Sequence, residues 1–85
     1  MSKAINLPQP TYPPIAKQIR AQGAVLVQIL VGENGQVLTA QPVSGHPTLL
    51  AAAREAALRA RFTPTILNGV PVKVQGVITY NFVLQ

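Results

Sequence analysis

The last stretch of the chain, Val72 to Gln85, limits the possible folds most. Val72, Val74, Ile78, Tyr80, Phe82 and Leu84 share one parity, with Gly76 as the gap, and Lys73, Gln75, Thr79, Asn81 and Gln85 share the other. Alternation with period two, rich in β-branched and aromatic residues, is the signature of a half-buried strand. A strand at the end of a chain can pair on one side and stay open on the other, and an open edge is either a binding site or a hazard.

Earlier segments supply what that strand packs against. Val25, Val27, Ile29 and Val31 mark one face of a strand over residues 24–31, and Glu33-Asn34-Gly35-Gln36 follows. Asn-Gly between apolar runs predicts a hairpin on a type I′ turn, with Val31 facing Leu38 and Ile29 facing Ala40. The other face mixes Leu26, Leu30, Val37 and Val43 with Gln28, Thr39 and Gln41, so cover of part of that face, from the lead-in or from a second copy, is expected. Pro42 limits the second strand.

Two helices are predicted. Pro13 and Pro14 suit a first turn, Ile15, Ala16 and Ile19 fall on one side, and Gly23 is the stop. So short a helix has to be held by packing its isoleucines. The second runs from Thr48 to Arg61, opened by Pro47 with Ser44 or His46 as cap. Leu49, Ala53, Ala56, Ala57 and Ala60 lie on one face with Leu50 at its margin. Thr65 to Pro71, containing Asn68-Gly69, reads as a connector. The expected fold is α+β: a small two-layer α-β-β-α-β domain whose three-stranded antiparallel sheet, in the order 2-1-3, packs against two helices. Residues 1–8 form an extended lead-in and residues 9–85 the domain.

Eighty-five residues make one small domain, and 48% hydrophobic against 11% charged residues argues for a packed globule. Without cysteine there is no disulfide frame and no thiol chemistry, which suits an oxidising or a reducing compartment equally. No apolar run approaches a membrane-spanning length, and no signal-peptide core follows Met1. The sequence fits a cytoplasmic protein or a domain of a longer chain. The net charge of +5 is spread along the chain without a basic run, as on a solvated basic surface.

Enzymatic chemistry has little to work with. Glu33 adjoins a tight turn, Glu55 lies on a helix surface, and His46 precedes a helix-starting proline with no carboxylate or second histidine near it in sequence. The residues therefore point away from an enzyme, a cofactor and a metal site. Tyr80 and Phe82 share the core parity, and exposed aromatics interleaved with lysine or arginine are absent, which goes against a nucleic-acid platform.

The run Gln9-Pro10-Thr11-Tyr12-Pro13, then Gly23-x-Val25-x-Val27-x-x-x-Val31-x-x-x-Gly35-x-Val37, then Val43-Ser44-Gly45-His46-Pro47 resembles the C-terminal domain of TonB-type energy transducers. Arg61-Phe62-x-Pro64 and Gly69-x-Pro71-Val72 continue the pattern, and the TolA C-terminal domain is related in architecture. The resemblance implies a periplasmic module, anchored to the inner membrane through a proline-rich linker and a helix that meets an ExbB and ExbD type motor. Such a module takes the TonB box of an outer-membrane transporter onto the edge of its last strand. The implied partner-binding residues are Val77, Ile78, Thr79, Tyr80, Asn81, Phe82 and Val83, through their backbone, together with Gln9 and Pro10; Tyr12 is structural. Ala60 stands where many members carry tryptophan, implying a different core filling. The same edge can also pair with its own copy to give a homodimer. A TonB-like or TolA-like module for another envelope partner, and a basic nucleic-acid binder, remain the alternatives.

Overall fold

The computed structural model describes residues 3–85. In chain order the elements are β1 (Ala4–Asn6), α1 (Pro14–Gln18), β2 (Gly23–Val31), β3 (Val37–Ser44), a 3-10 turn (Pro47–Leu49) leading into α2 (Leu50–Leu58), β4 (Arg61–Phe62), β5 (Thr65–Leu67), β6 (Val70–Val72) and β7 (Val74–Phe82). The main sheet has the order β3-β2-β7, antiparallel throughout, so the first hairpin strand is central and the last strand lies beside it. This is the expected α+β arrangement of a three-stranded sheet with two helices. Two small ribbons are added to it, β1 with β4 and β5 with β6, and the molecule is elongated, about 50 × 20 × 15 Å.

Val25, Val27, Ile29 and Val31 are buried, as are Leu49, Ala53, Ala56, Ala57 and Ala60. Three buried alanines on one side of α2, Ala53, Ala56 and Ala57, let its backbone lie close over β2 and β3. Tyr80 and Phe82 close the same core from β7, at 7% and 4% exposure. His46 is the cap of the 3-10 turn, its Nδ1 accepting from the Thr48 N–H at 3.2 Å.

The first hairpin departs from expectation in its turn. The Gly35 N–H donates to the Gly32 carbonyl at 3.0 Å, and the Gly32 N–H to the Gln36 carbonyl at 2.7 Å. Gly35 has φ +88°, but Asn34 is not among the residues of positive φ, so the loop is a type I turn followed by a left-handed glycine rather than type I′. The Asn34 side chain accepts from the Gln36 N–H instead. Type I′ geometry occurs at Asn68-Gly69, where φ is +51° and +78°, and makes a hairpin of what reads as a mere connector.

A further departure follows along β3. Leu30 pairs with Thr39 but Val31 with Val37, and Leu26 pairs with Ser44 but Val27 with Pro42, so β3 carries extra residues at Leu38 and Val43 while β2 runs regularly. The bulge at Leu38 turns Val37 into the core and leaves Leu38 exposed, the reverse of the expected pairing; Ile29 opposite Ala40 is as expected. On the face away from the helices Gln28, Gln41, Val43 and Val77 are exposed, while Leu26 and Leu30 are half-buried. The lead-in covers none of the four exposed residues; Ala4–Asn6 pairs with Arg61–Phe62 instead.

α1 also differs. Ile15 and Ile19 are more than half exposed, and the helix is held through buried Ala16 and Ala21 and through the Tyr12 hydroxyl, which donates to the Ala21 carbonyl. The stop is Arg20, not Gly23. Arg20 has φ +58°, its N–H donates to Lys17 and that of Ala21 to Ala16, which is a Schellman ending with an arginine in the left-handed position. That conformation costs an L-residue about 1–2 kcal/mol, so Arg20→Gly is expected to raise stability by about 0.5–1 kcal/mol after the extra entropy of glycine in the unfolded chain. A urea titration at neutral pH measures it.

Candidate functional site

β7 pairs with β2 in unbroken register from Val74 opposite Val31 to Phe82 opposite Gly23. It is the last strand of the sheet, and among the described residues no strand pairs with its other side. Which of its backbone groups face that free edge follows from the hairpin. The Gly32 N–H points at β3, so by alternation Leu30, Gln28 and Leu26 of the regular strand β2 face β3, and Val31, Ile29, Val27, Val25 and Gly23 face β7. Pro42, which has no N–H to give, falls opposite Val27 where none is needed, consistent with that phase.

Carried across the register, Val74, Gly76, Ile78, Tyr80 and Phe82 turn their N–H and C=O groups inward to β2. Gln75, Val77, Thr79 and Asn81 turn theirs outward. The seven residues from Val77 to Val83 thus divide: Val77, Thr79 and Asn81 offer edge donors and acceptors, while Ile78, Tyr80 and Phe82 serve the ladder and the core. Val83 lies beyond the end of β7, in a recess shared with Tyr12, Lys17 and Arg20.

Two hollows flank the edge. Toward the end of β7, Leu7, Pro8 and Gln9 face Ile78, Thr79, Tyr80 and Asn81 across a space of about 280 Å³. This brings Gln9 to the edge; Pro10 is not among the lining residues. Toward the start of β7, Ile29, Val31, Phe62, Thr65, Val74 and Ile78 surround an apolar groove of about 380 Å³. Phe62, Thr65 and Gly76 are absent from the sequence-derived set, and the signal that could have found the groove is the missing side chain in the alternation at Gly76.

No group of three or more metal-capable side chains occurs among the described residues. Burial pushes the Tyr80 phenol above its ordinary value, with the nearby Arg59 charge acting against it. Its hydroxyl is buried and has no hydrogen-bond partner among the described residues. Burying an unpaired hydroxyl is unfavourable, so Tyr80→Phe is expected to stabilise by about 1 kcal/mol at neutral pH. Because the folded pKa is raised, ionisation of this phenol leaves stability unchanged below pH about 10 and lowers it as pH rises through the folded value. Denaturant midpoints between pH 7 and 11 should show a smaller alkaline decline for Tyr80→Phe than for the wild type.

Tyr12 joins the start of the chain to the end of the site. Its ring meets Phe82 edge to face, centroids 5.4 Å apart at 89°, with the Lys17 ammonium 6.0 Å from its centre. The segment after Gln9 is thereby fixed against the end of β7.

Residues 8–84 match the family described as the Gram-negative bacterial TonB protein C-terminal. The chain belongs to this family. A TonB protein of Vibrio cholerae serotype O1 is 35% identical over 79 residues, 91% of this chain and 32% of that protein, so the chain spans about a third of the relative's length. The solution NMR structure of the Pseudomonas aeruginosa TonB C-terminal domain superposes with a TM-score of 0.73 at 25% identity, covering 99% of this chain and 87% of that one. Ala60 is fully buried in the core. No helix among the described residues is long and apolar enough to cross a membrane.

Proposed function

We propose that this TonB C-terminal domain works in the periplasm as the docking end of an energy transducer, taking the TonB box of an outer-membrane transporter as an added strand on β7. The observation that carries this reading is the row of outward backbone groups at Gln75, Val77, Thr79 and Asn81 on an edge strand that no other strand among the described residues pairs with. In strand addition, main-chain hydrogen bonds provide the affinity and pockets for alternate side chains the selectivity. Gln9, beside Ile78 to Asn81, borders the same edge. In the longer protein the domain is anchored to the inner membrane and coupled to an ExbB and ExbD type motor, and pulling on it loads the paired strand. The same edge is also where a homodimer would form.

The test is a backbone-amide NMR titration with TonB-box peptides from transporters of the same organism, at moderate salt. Shifts concentrated on Gln75 to Asn81 and around Gln9, little changed by added salt, are expected. Peptides that leave those amides unmoved would overturn the reading, and a steep loss of binding with salt would point to phosphate contacts instead.

A further inference from the structure

We infer that the groove at the start of β7 receives a large apolar side chain of the added strand, at the position facing Gly76. The inference rests on the strand-addition reading and names what that strand must carry.

The helical layer covers the sheet unevenly. α2 lies over β3 and β2, and at the far end of β7 the Tyr12 ring packs on Phe82. Over the first half of β7 there is no such cover among the described residues: Val74, Gly76 and Ile78 are only part-buried, and the space above them, bounded by Phe62 and Thr65, is the apolar groove. Its floor is Gly76. A Cβ built there would meet nothing closer than Ile29 at 3.7 Å, and Gly76 is not among the residues of positive φ. The backbone therefore gives no reason for glycine, and a glycine inside a strand weakens it. What the glycine provides is room.

The edge decides what enters that room. Gln75 and Val77 offer their backbone groups to an extended segment, which would lie about 4.8 Å from β7. The residue it sets opposite Gly76 occupies a non-hydrogen-bonded position, where facing side chains come closest. Its side chain then stands on the groove side of the sheet, between Phe62 and Ile78. A glycine on an edge strand is covered well by a bulky residue across from it. The occupant is thus an extended peptide with a leucine-sized or larger apolar residue opposite Gly76.

The probes are two synthetic peptides, one alternating threonine with leucine and the other alternating threonine with alanine. In any register of even step they present the same side chain to the groove. Wild-type domain should bind the leucine peptide about tenfold more tightly, as expected for burying the larger side chain. In Gly76→Leu, which fills the groove from below, the leucine-over-alanine preference should fall to about twofold or less. Gly76→Ala should leave an intermediate preference, and thermal melts report that both variants fold. An undiminished preference in Gly76→Leu, or none in wild type, would overturn the inference while edge shifts with both peptides left strand addition standing. A preference that disappears on diluting the domain would assign the groove to a second copy and overturn it as well. Neither peptide shifting Gln75 to Asn81 would remove the strand-addition reading and this inference together.

Discussion

Gly35→Ala is expected to cost about 2–5 kcal/mol, a large share of the roughly 4–13 kcal/mol available to a domain of this length. Two penalties combine. At φ +88° an alanine pays about 1–2 kcal/mol for the left-handed conformation. Its Cβ would also lie 1.9 Å from the Phe62 carbonyl oxygen, a backbone atom that no rotamer change can move. The loop must then retreat from β4, and the Phe62 N–H loses its 2.9 Å bond to the Gly35 carbonyl, a further loss of about 1–3 kcal/mol if the group stays buried.

The damage should spread in a definite direction. β4 is held from one side by Gly35 and by the bridge from Gln36 to Arg61, and from the other by β1. Beyond it, the Thr63 N–H donates to Lys3 and the Lys3 N–H to the Thr63 hydroxyl. Releasing Phe62 therefore frees the lead-in and one wall of the apolar groove. Hydrogen exchange should show Phe62 and Thr63 losing protection more than Val27 or Ile29, and urea melts should show the lowered midpoint. A cost below about 1 kcal/mol would mean that the turn and β4 do not meet backbone to backbone.

That contact also shows where reading the sequence stops. The alternation in β2 and β7, the alanine face of α2 and the histidine cap were all legible, because each is a local pattern whose period is set by the element itself. The two Asn-Gly pairs were not distinguishable in this way. Gly35 is constrained by Phe62, 27 positions away in sequence, and Asn34 needs no positive φ once a bulge at Leu38 absorbs the extra residue. Asn68-Gly69 has no such neighbour, since nothing lies within 4 Å of a Cβ at Gly69, and it takes the hairpin geometry its residues prefer. The isoleucines of α1 mislead for a related reason. Helical periodicity puts Ile15 and Ile19 on a common side, but the helix ends at Arg20 and anchors through Ala16, Ala21 and Tyr12. For the site, the free edge was legible from the position of the last strand. Its hydrogen-bonding phase was not, since this depends on the Gly32 to Gln36 bond and on both bulges lying on β3.

That phase yields the second large effect, a contrast between two prolines on one strand. Asn81→Pro removes an N–H that faces outward, so the ladder to β2 is retained and stability should change by about 1 kcal/mol or less, as edge strands allow. Gly76→Pro removes an N–H that faces inward, opposite Ile29 on the central strand, and should cost about 3 kcal/mol or more. Neither replacement deletes a core side chain: Asn81 is exposed, and Gly76 has none to lose. The difference between them therefore reports hydrogen-bond direction. Binding should respond in the opposite sense. A folded Asn81→Pro domain leaves a carbonyl of the added strand without its donor and sets a ring against it, weakening a box peptide about tenfold to a hundredfold, which isothermal titration would read. If Asn81→Pro unfolds the domain and Gly76→Pro does not, the phase is inverted and Val74, Gly76, Ile78 and Tyr80 are the edge. If both fold and bind as wild type, the partner does not add to β7, and the unpaired backbone row must be covered in the cell by something other than a transporter's strand.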